Sequence, residues 1–404
     1  MEAYFIDVLN FLVRSIHIIT GIAWIGASFY FVMLDNSLRS PKKDEDTKNG
    51  VFGELWAVHG GGFYHSQKYM LGPKSEPLTK DLHWSKWEAY TTWISGFFLM
   101  AIVYWYGADI YLIDPTIMEI SQPVAIGISL GFLVGGWIIY DLLCKSALAK
   151  NDKLLGIVIF VLVAISAYAL THMFSGRGAF MTFGAMLGTI MAANVFFTII
   201  PGQRKMVENL HAGEKVNPAP GIAGKQRSVH NTYFTLPVLF TMISNHYAMT
   251  YSHEYNWLIL IGISMAGALI RIFFVSRHSE GKPLTAALIA AIIIMIGVIW
   301  AMAPKNMIIE ISDSTPRVSF ETVASIIEQR CSTCHAAQPT QLGFAAAPKG
   351  YMYDTPAQII AQADQIYQQT VVLKAMPIGN LTGITDEERT TLAQWYQELK
   401  QGSE

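Results

Sequence analysis

Mostly apolar runs of about twenty residues, the length a helix needs to cross a bilayer, recur eight times between residues 8 and 303. They fall at about 8–33, 89–107, 123–143, 154–174, 178–200, 234–251, 257–275 and 284–303. IVIFVLVAISAYAL (157–170) and AALIAAIIIMIGVIWAM (286–302) are the most uniform, and Pro237 interrupts the sixth. A water-soluble helical core does not require so many mostly apolar runs of this length. From residue 305 the pattern changes to amphipathic segments and turns. The expected fold is therefore all-α: an eight-helix transmembrane bundle over 1–304 and a small soluble domain over 305–404.

Composition sharpens this division. The chain has 404 residues, 52% hydrophobic and only 14% charged, against about 25% charged in soluble domains. Residues 1–304 carry 21 Lys+Arg against 19 Asp+Glu, and the remainder 7 against 11, so neither part has the basic excess of a nucleic-acid binder. The charges between spans are strongly sided. Segments 34–89, 144–153, 201–233 and 276–283 hold eight, three, five and two Lys+Arg, whereas 108–122, 175–177 and 252–256 hold none, one and none. The positive-inside rule then puts the basic loops in the cytoplasm and both termini outside, which in a bacterium means an inner-membrane protein with a periplasmic tail. The first apolar stretch is too long for a cleavable signal peptide and lacks a basic leader.

The tail contains Cys331-Ser332-Thr333-Cys334-His335, the C-x-x-C-H pattern of c-type haem attachment. Two thiols one helical turn apart can add to both vinyl groups of one haem, and the adjacent histidine reaches its iron. A redox dithiol or half a zinc site would not need the trailing histidine, and the remaining cysteine, Cys144, is remote in sequence. Around the motif, 318–330 reads as an amphipathic helix. Thr355-Pro356 reads as a cap with a first-turn proline, and Thr385 to Glu388 as a capping box opening the last helix. Met376, in Ala375-Met376-Pro377, is the expected sixth iron ligand, since a thioether raises a cytochrome c potential; Met352 is the fallback, and core filling is the alternative role.

Ionisable residues inside spans are costly and point to function. Arg14 and His17 lie three residues apart in the first span, His172 closes the fourth and His246 sits in the sixth. On the orientation above, all lie in the outer half of the membrane, near the tail. Such clustering suits a haem b held by two neutral imidazoles with an arginine on a propionate, His17 and His246 being the better-placed pair. Interfacial histidines or interhelical hydrogen bonds account for the same residues without a cofactor. On the cytoplasmic side, the aromatic segment 34–89 is expected to dip into the membrane face or form amphipathic helices. Arg227, His230, Asn231 and Tyr233 gather at the mouth of the sixth span, with Arg271 in the inner half of the seventh. Together they could hold a planar anionic heterocycle, or be a solvated basic loop.

HSQKY (65–69), HWSKWEAYTTWISG (83–96) and RSVHNTYFTLPVLFTMISNHY (227–247), followed by the C-x-x-C-H tail, resemble the bacterial membrane-bound urate oxidases, also called urate hydroxylases. The resemblance covers essentially the whole chain. It implies oxidation of urate to 5-hydroxyisourate in purine catabolism, with electrons leaving through haem c to a downstream cytochrome c or terminal oxidase rather than forming peroxide. His17-x6-Trp24-x-Gly26 is also similar, more loosely, to haem-binding membrane families such as the membrane protoporphyrinogen oxidase, which supports His17 as a ligand. The competing functional class is a membrane-anchored electron-transfer cytochrome without substrate chemistry of its own; a third is a haem-based sensor or transporter.

Overall fold

The computed structural model describes residues 2–278, 283–303 and 316–401. All eight predicted segments fall on helices. They are α1 (Glu2–Ser37), then, after the short α2 (Asp44–Asn49), α3 (Trp87–Leu99), the one-turn α4 (Ala108–Tyr111), α5 (Gln122–Lys145), α6 (Asp152–Thr171), α7 (Gly176–Ala193), α8 (Ile200–His211), α9 (Ala219–Ser244), the one-turn α10 (Ala248–Tyr251), α11 (Asn256–His278) and α12 (Thr285–Ala301). Two π-helical turns, Met100–Trp105 and Asn194–Ile199, extend α3 and join α7 to α8. Five of these helices are long and apolar enough to cross a membrane: those at Tyr4–Ser37, Gln122–Lys145, Asp152–Thr171, Gly176–His211 and Asn256–Arg277.

The layering follows from burial. In the apolar window of the continuous helix Gly176–His211, 61% of residues are buried, against 6% for Tyr4–Ser37. The central helix α7 therefore packs against α3, α5, α6 and α9, while α1 lies at the margin against α3 and α11. Phe174, Phe180, Phe183, Leu170 and Leu187, all fully enclosed, form the heart of the bundle.

Segment 34–89 differs from expectation. Of the two alternatives expected there, the amphipathic helices are replaced by an antiparallel hairpin of β1 (Val51–His59) and β2 (Gly62–Tyr69), with Val58 opposite Phe63 and Trp56 opposite His65. Gly60 and Gly61 both have positive φ, which a two-residue type I′ connection demands of its central residues. The hairpin stands at the basic-loop end of the bundle, where the chain after β2 packs at Gly72 against Leu210 of α8.

The tail folds around its own core, in which Val323, Ile327, Ile366, Val371 and Leu392 are buried. Its helices are α13 (Phe320–Arg330), the single turn α14 (Ser332–His335), α15 (Pro356–Ala361), α16 (Ala363–Ile366) and α17 (Asp386–Gln401). Both expected caps are present. Thr355 and Gln358 form a reciprocal capping box with Pro356 in the first turn; Thr385 N–H donates to Glu388 and Glu388 N–H to Thr385 Oγ1. The tail rests on the α4 end of the bundle: a Cβ at Gly379 would lie 2.8 Å from the Ile113 carbonyl oxygen.

Candidate functional site

Two polar clusters and the C-x-x-C-H turn surround one open cavity of about 4100 Å³ that runs the length of the bundle. His230, Asn231 and Tyr233 line it at one end, His17 and His246 further along, and Cys334 and His335 at the other.

The inner cluster is built where α5, the π turn after α7 and α9 converge. Arg227, 2% exposed, donates from Nη2 to Asp141 Oδ1 at 2.8 Å, and its guanidinium lies 4.9 Å from the centre of the Tyr140 ring. Lys145, one turn on from Asp141, shares the carboxylate at 2.6 Å. Asn194 Nδ2 donates to Asn231 Oδ1 at 2.9 Å and to the Tyr140 hydroxyl at 3.1 Å, and Asn231 Nδ2 to the Met191 carbonyl at 3.0 Å. The Tyr140 hydroxyl meets His230 Nδ1 at 2.8 Å, with Cys144 Sγ 3.9 Å from the same nitrogen. With Tyr140 donating, the imidazole proton sits on Nε2. Two cations on one carboxylate leave one net positive charge behind the cavity wall.

The five residues expected to form one mouth are thus divided. Arg227, His230 and Asn231 come together, but Arg227 is buried behind the other two. Tyr233 lies on α9 within reach of the charge of Arg271, which belongs to α11; the buried Arg271 guanidinium stacks 3.9 Å from the Phe29 ring of α1 and its Nε has no hydrogen-bond partner. Asp141, Tyr140, Asn194 and Cys144 complete the cluster without having been expected in it. Asp141 carried a readable signal, because it is the one acid in the 123–143 run and an acid in a span calls for a partner.

In the middle of the bundle, His17 Nδ1 bonds the Thr92 carbonyl at 2.9 Å and reaches Ser95 Oγ at 3.2 Å. This contact seats the ring against Gly96, where a Cβ would lie 2.9 Å from the imidazole. A histidine so anchored has Nε2 left for a metal. Its expected neighbour Arg14 is exposed and donates to Asn10. His246 is exposed just beyond α9 and His172 bonds the Tyr168 carbonyl at 2.7 Å. His17 and His246 both line the cavity.

At the tail, the α14 turn brings Cys331, Cys334 and His335 together: the Cys334 and His335 amides donate to the Cys331 carbonyl at 3.1 and 2.9 Å, and both thiols are free. Burial pushes the Cys331 thiol up, to about 12, which keeps it a thiol at neutral pH. His335 Nδ1 donates to the Tyr351 carbonyl at 2.9 Å, fixing the ring with Nε2 as its free nitrogen. Met376 lines the same space, and its carbonyl accepts from the buried Arg389 at 3.0 Å. Among the described residues no three His, Cys, Asp or Glu side chains converge as a metal cage; an iron held within a porphyrin needs only the two axial donors that His335 and Met376 would supply.

The class of protein is thereby set: a helical bundle with membrane-length apolar helices, a polar inner site and a tail bearing paired thiols and a histidine. The Urate oxidase N-terminal family matches residues 3–303, so the chain belongs to that family and is a urate oxidase-related protein. The family points to oxidoreductase chemistry on urate, and the tail lies beyond the matched region. Neither the curated proteins nor the solved structures give a match.

Proposed function

We propose that the chain is a membrane-bound, cytochrome c-linked urate oxidase that converts urate to 5-hydroxyisourate and sends the electrons to its own haem c, then to a downstream cytochrome c or terminal oxidase. The observation that carries this reading is the single cavity shared by His230 and Asn231 at one end and Cys334 and His335 at the other. Urate is a monoanion at neutral pH, matched by the one surplus positive charge of the Arg227–Asp141–Lys145 group. Asn231 and His230 Nε2 hydrogen-bond the heterocycle, and Arg227 and Asn194 hold those two side chains in place. From the urate monoanion, addition of one water to the ring and loss of two electrons release one net proton in forming 5-hydroxyisourate, and His230 receives that proton. Cys331 and Cys334 would hold haem c, with His335 and Met376 as axial ligands, and His17 and His246 would hold a haem b between the two ends. Haem c supplies a one-electron acceptor whose potential its axial ligands set.

Sidedness supports the same direction of flow. The basic loops lie at the hairpin end, and the tail packs on the α4 end, as expected for a cytoplasmic entrance and a periplasmic exit in a bacterial inner membrane. A reporter active only in the periplasm should work when fused after Glu404 and fail near Asp46. From His230 to His246 is sixteen residues, about 24 Å at 1.5 Å per residue, hence the need for a relay. Replacing His17 or His246 is expected to abolish urate-driven reduction of haem c while leaving covalent attachment intact.

The decisive experiment adds urate to isolated membranes and follows the visible spectrum. Reduction of haem c by urate without peroxide release is expected. If a quinol or a partner protein reduces the haem and urate does not, the chain is an electron-transfer module instead.

A further inference from the structure

Arg177 is the one Lys or Arg in segments 108–122, 175–177 and 252–256, and its surroundings are unlike those of Arg227. It occupies the first turn of α7, in Ser175-Gly176-Arg177-Gly178, a turn stitched to the chain after α4. Ser175 N–H donates to the Leu112 carbonyl at 2.9 Å and its hydroxyl to the Tyr111 carbonyl at 2.8 Å. Gly176 admits no side chain, since a Cβ would lie 2.0 Å from the Tyr251 carbonyl oxygen, and at Gly178 it would meet Leu112. The guanidinium is thereby held between the rings of Tyr111 and Tyr251, at 5.9 and 5.6 Å from their centres.

What this cation lacks is an anion. Nη2 donates to the Asn245 carbonyl at 3.2 Å and the Tyr251 hydroxyl at 3.5 Å. Nε is buried with no partner, and among the described residues no carboxylate pairs with the side chain. A fixed, half-buried guanidinium with a free donor is suited to a carboxylate, which it can take bidentately. The cavity it lines is the one that holds Cys334 and His335, and Tyr111 is close enough to feel both the Arg177 charge and the Cys334 sulfur.

We propose that Arg177 is the anchor for a propionate carboxylate of the haem c attached at Cys331 and Cys334, binding the tail to the bundle through the cofactor itself. This rests on the reading of the tail as a haem c carrier. A cation beside a haem carboxylate stabilises the reduced form, so the arginine also holds the potential up.

The test is a redox titration of the full-length protein in detergent micelles. Arg177→Gln is expected to lower the midpoint of haem c by roughly the equivalent of a tenfold fall in the reduced-to-oxidised ratio, about 59 mV for one electron, with the covalent haem content unchanged. An unchanged midpoint overturns the proposal. So does an unchanged midpoint accompanied by a raised KM for urate, which would assign the free guanidinium to the substrate anion. If the Gln variant does not accumulate, Arg177→Lys decides. Lysine keeps the charge without the planar fork, so a smaller shift of the same sign is expected, and no shift overturns the proposal. Absence of covalent haem from the unmodified protein would instead sink the underlying reading of the tail.

Discussion

Arg227, buried, and Arg177, half-buried, both lie against tyrosine rings, and they differ in what completes them. Arg227 has Asp141 at 2.8 Å, with Lys145 sharing the carboxylate, and its neighbours Asn194 and Asn231 are tied to one another and to backbone. Arg177 has backbone and phenol oxygens and a free Nε. A cluster that satisfies itself can shape a wall before any ligand arrives, whereas one left incomplete identifies where an external group must bind. The first arrangement is a scaffold for neighbouring side chains and the second a socket.

That contrast breaks most visibly in stability. Removing one member of a buried ion pair typically costs about 3–5 kcal/mol, so Arg227→Ala should greatly reduce the melting temperature and yield of the detergent-solubilised protein. Arg177→Ala should cost much less, since no charge is orphaned. Equal losses would erase the distinction between the two clusters.

Gly176→Ala should follow in size, because the new methyl meets backbone and the turn has to shift; overpacking of this kind costs about 1–3 kcal/mol. Gly188→Ala on the same helix, where a Cβ meets nothing within 4 Å, is the matched control and should melt at least as high as the unmodified protein. Asn194→Ala leaves buried polar groups unpaired, about 1–3 kcal/mol, and should raise the KM for urate as well, by loosening Asn231 and Tyr140. A lower melting temperature with an unaltered KM would detach the inner cluster from the substrate.

The smallest effect lies outside both clusters. Hydrogen bonding to Asp364 holds the Tyr396 phenol up, to about 12, and the same phenol, with Lys400, holds the Asp364 carboxyl below its usual range. For the phenol the contribution to stability is complete below its ordinary value of about 10 and disappears as pH rises through the raised one. For the carboxylate it is complete above its ordinary value of about 3.9 and disappears as pH falls through the depressed one. Tyr396→Phe should therefore melt slightly lower than the unmodified protein at neutral pH, and the gap should narrow towards both extremes; a gap independent of pH would mean packing alone.

What could be read from residues alone depended on how local the cause was. The eight apolar runs became helices because length and hydropathy suffice. The Thr385–Glu388 box formed as read because its partners are three residues apart. The hairpin was not legible because the apolar and aromatic residues of 51–69 suit an amphipathic helix as well as a strand, and only Gly60-Gly61, the turn that makes alternation a hairpin, separates the two. The inner cluster was half legible: Arg227, His230 and Asn231 share one helix, whereas Asp141 and Asn194 reach them from 86 and 37 residues away. Arg177 reads in sequence as one loop charge, and nothing in its glycine-flanked surroundings shows that its guanidinium lacks a counter-ion.

The π turn at Met100–Trp105 bears on which insertions and deletions the chain can accept. There the Tyr106 amide reaches back five residues to the Ala101 carbonyl, so one residue more than a regular turn needs is accommodated without rotating the rest of the helix. A single deletion within this turn would leave the flanking faces aligned and straighten the helix. The same deletion at Trp93, in a regular stretch, would swing everything downstream by about 100° and carry the Tyr104 hydroxyl away from Asn245, which it now meets at 2.8 Å. Length variation among relatives should therefore be tolerated at this turn and purged one or two turns before it.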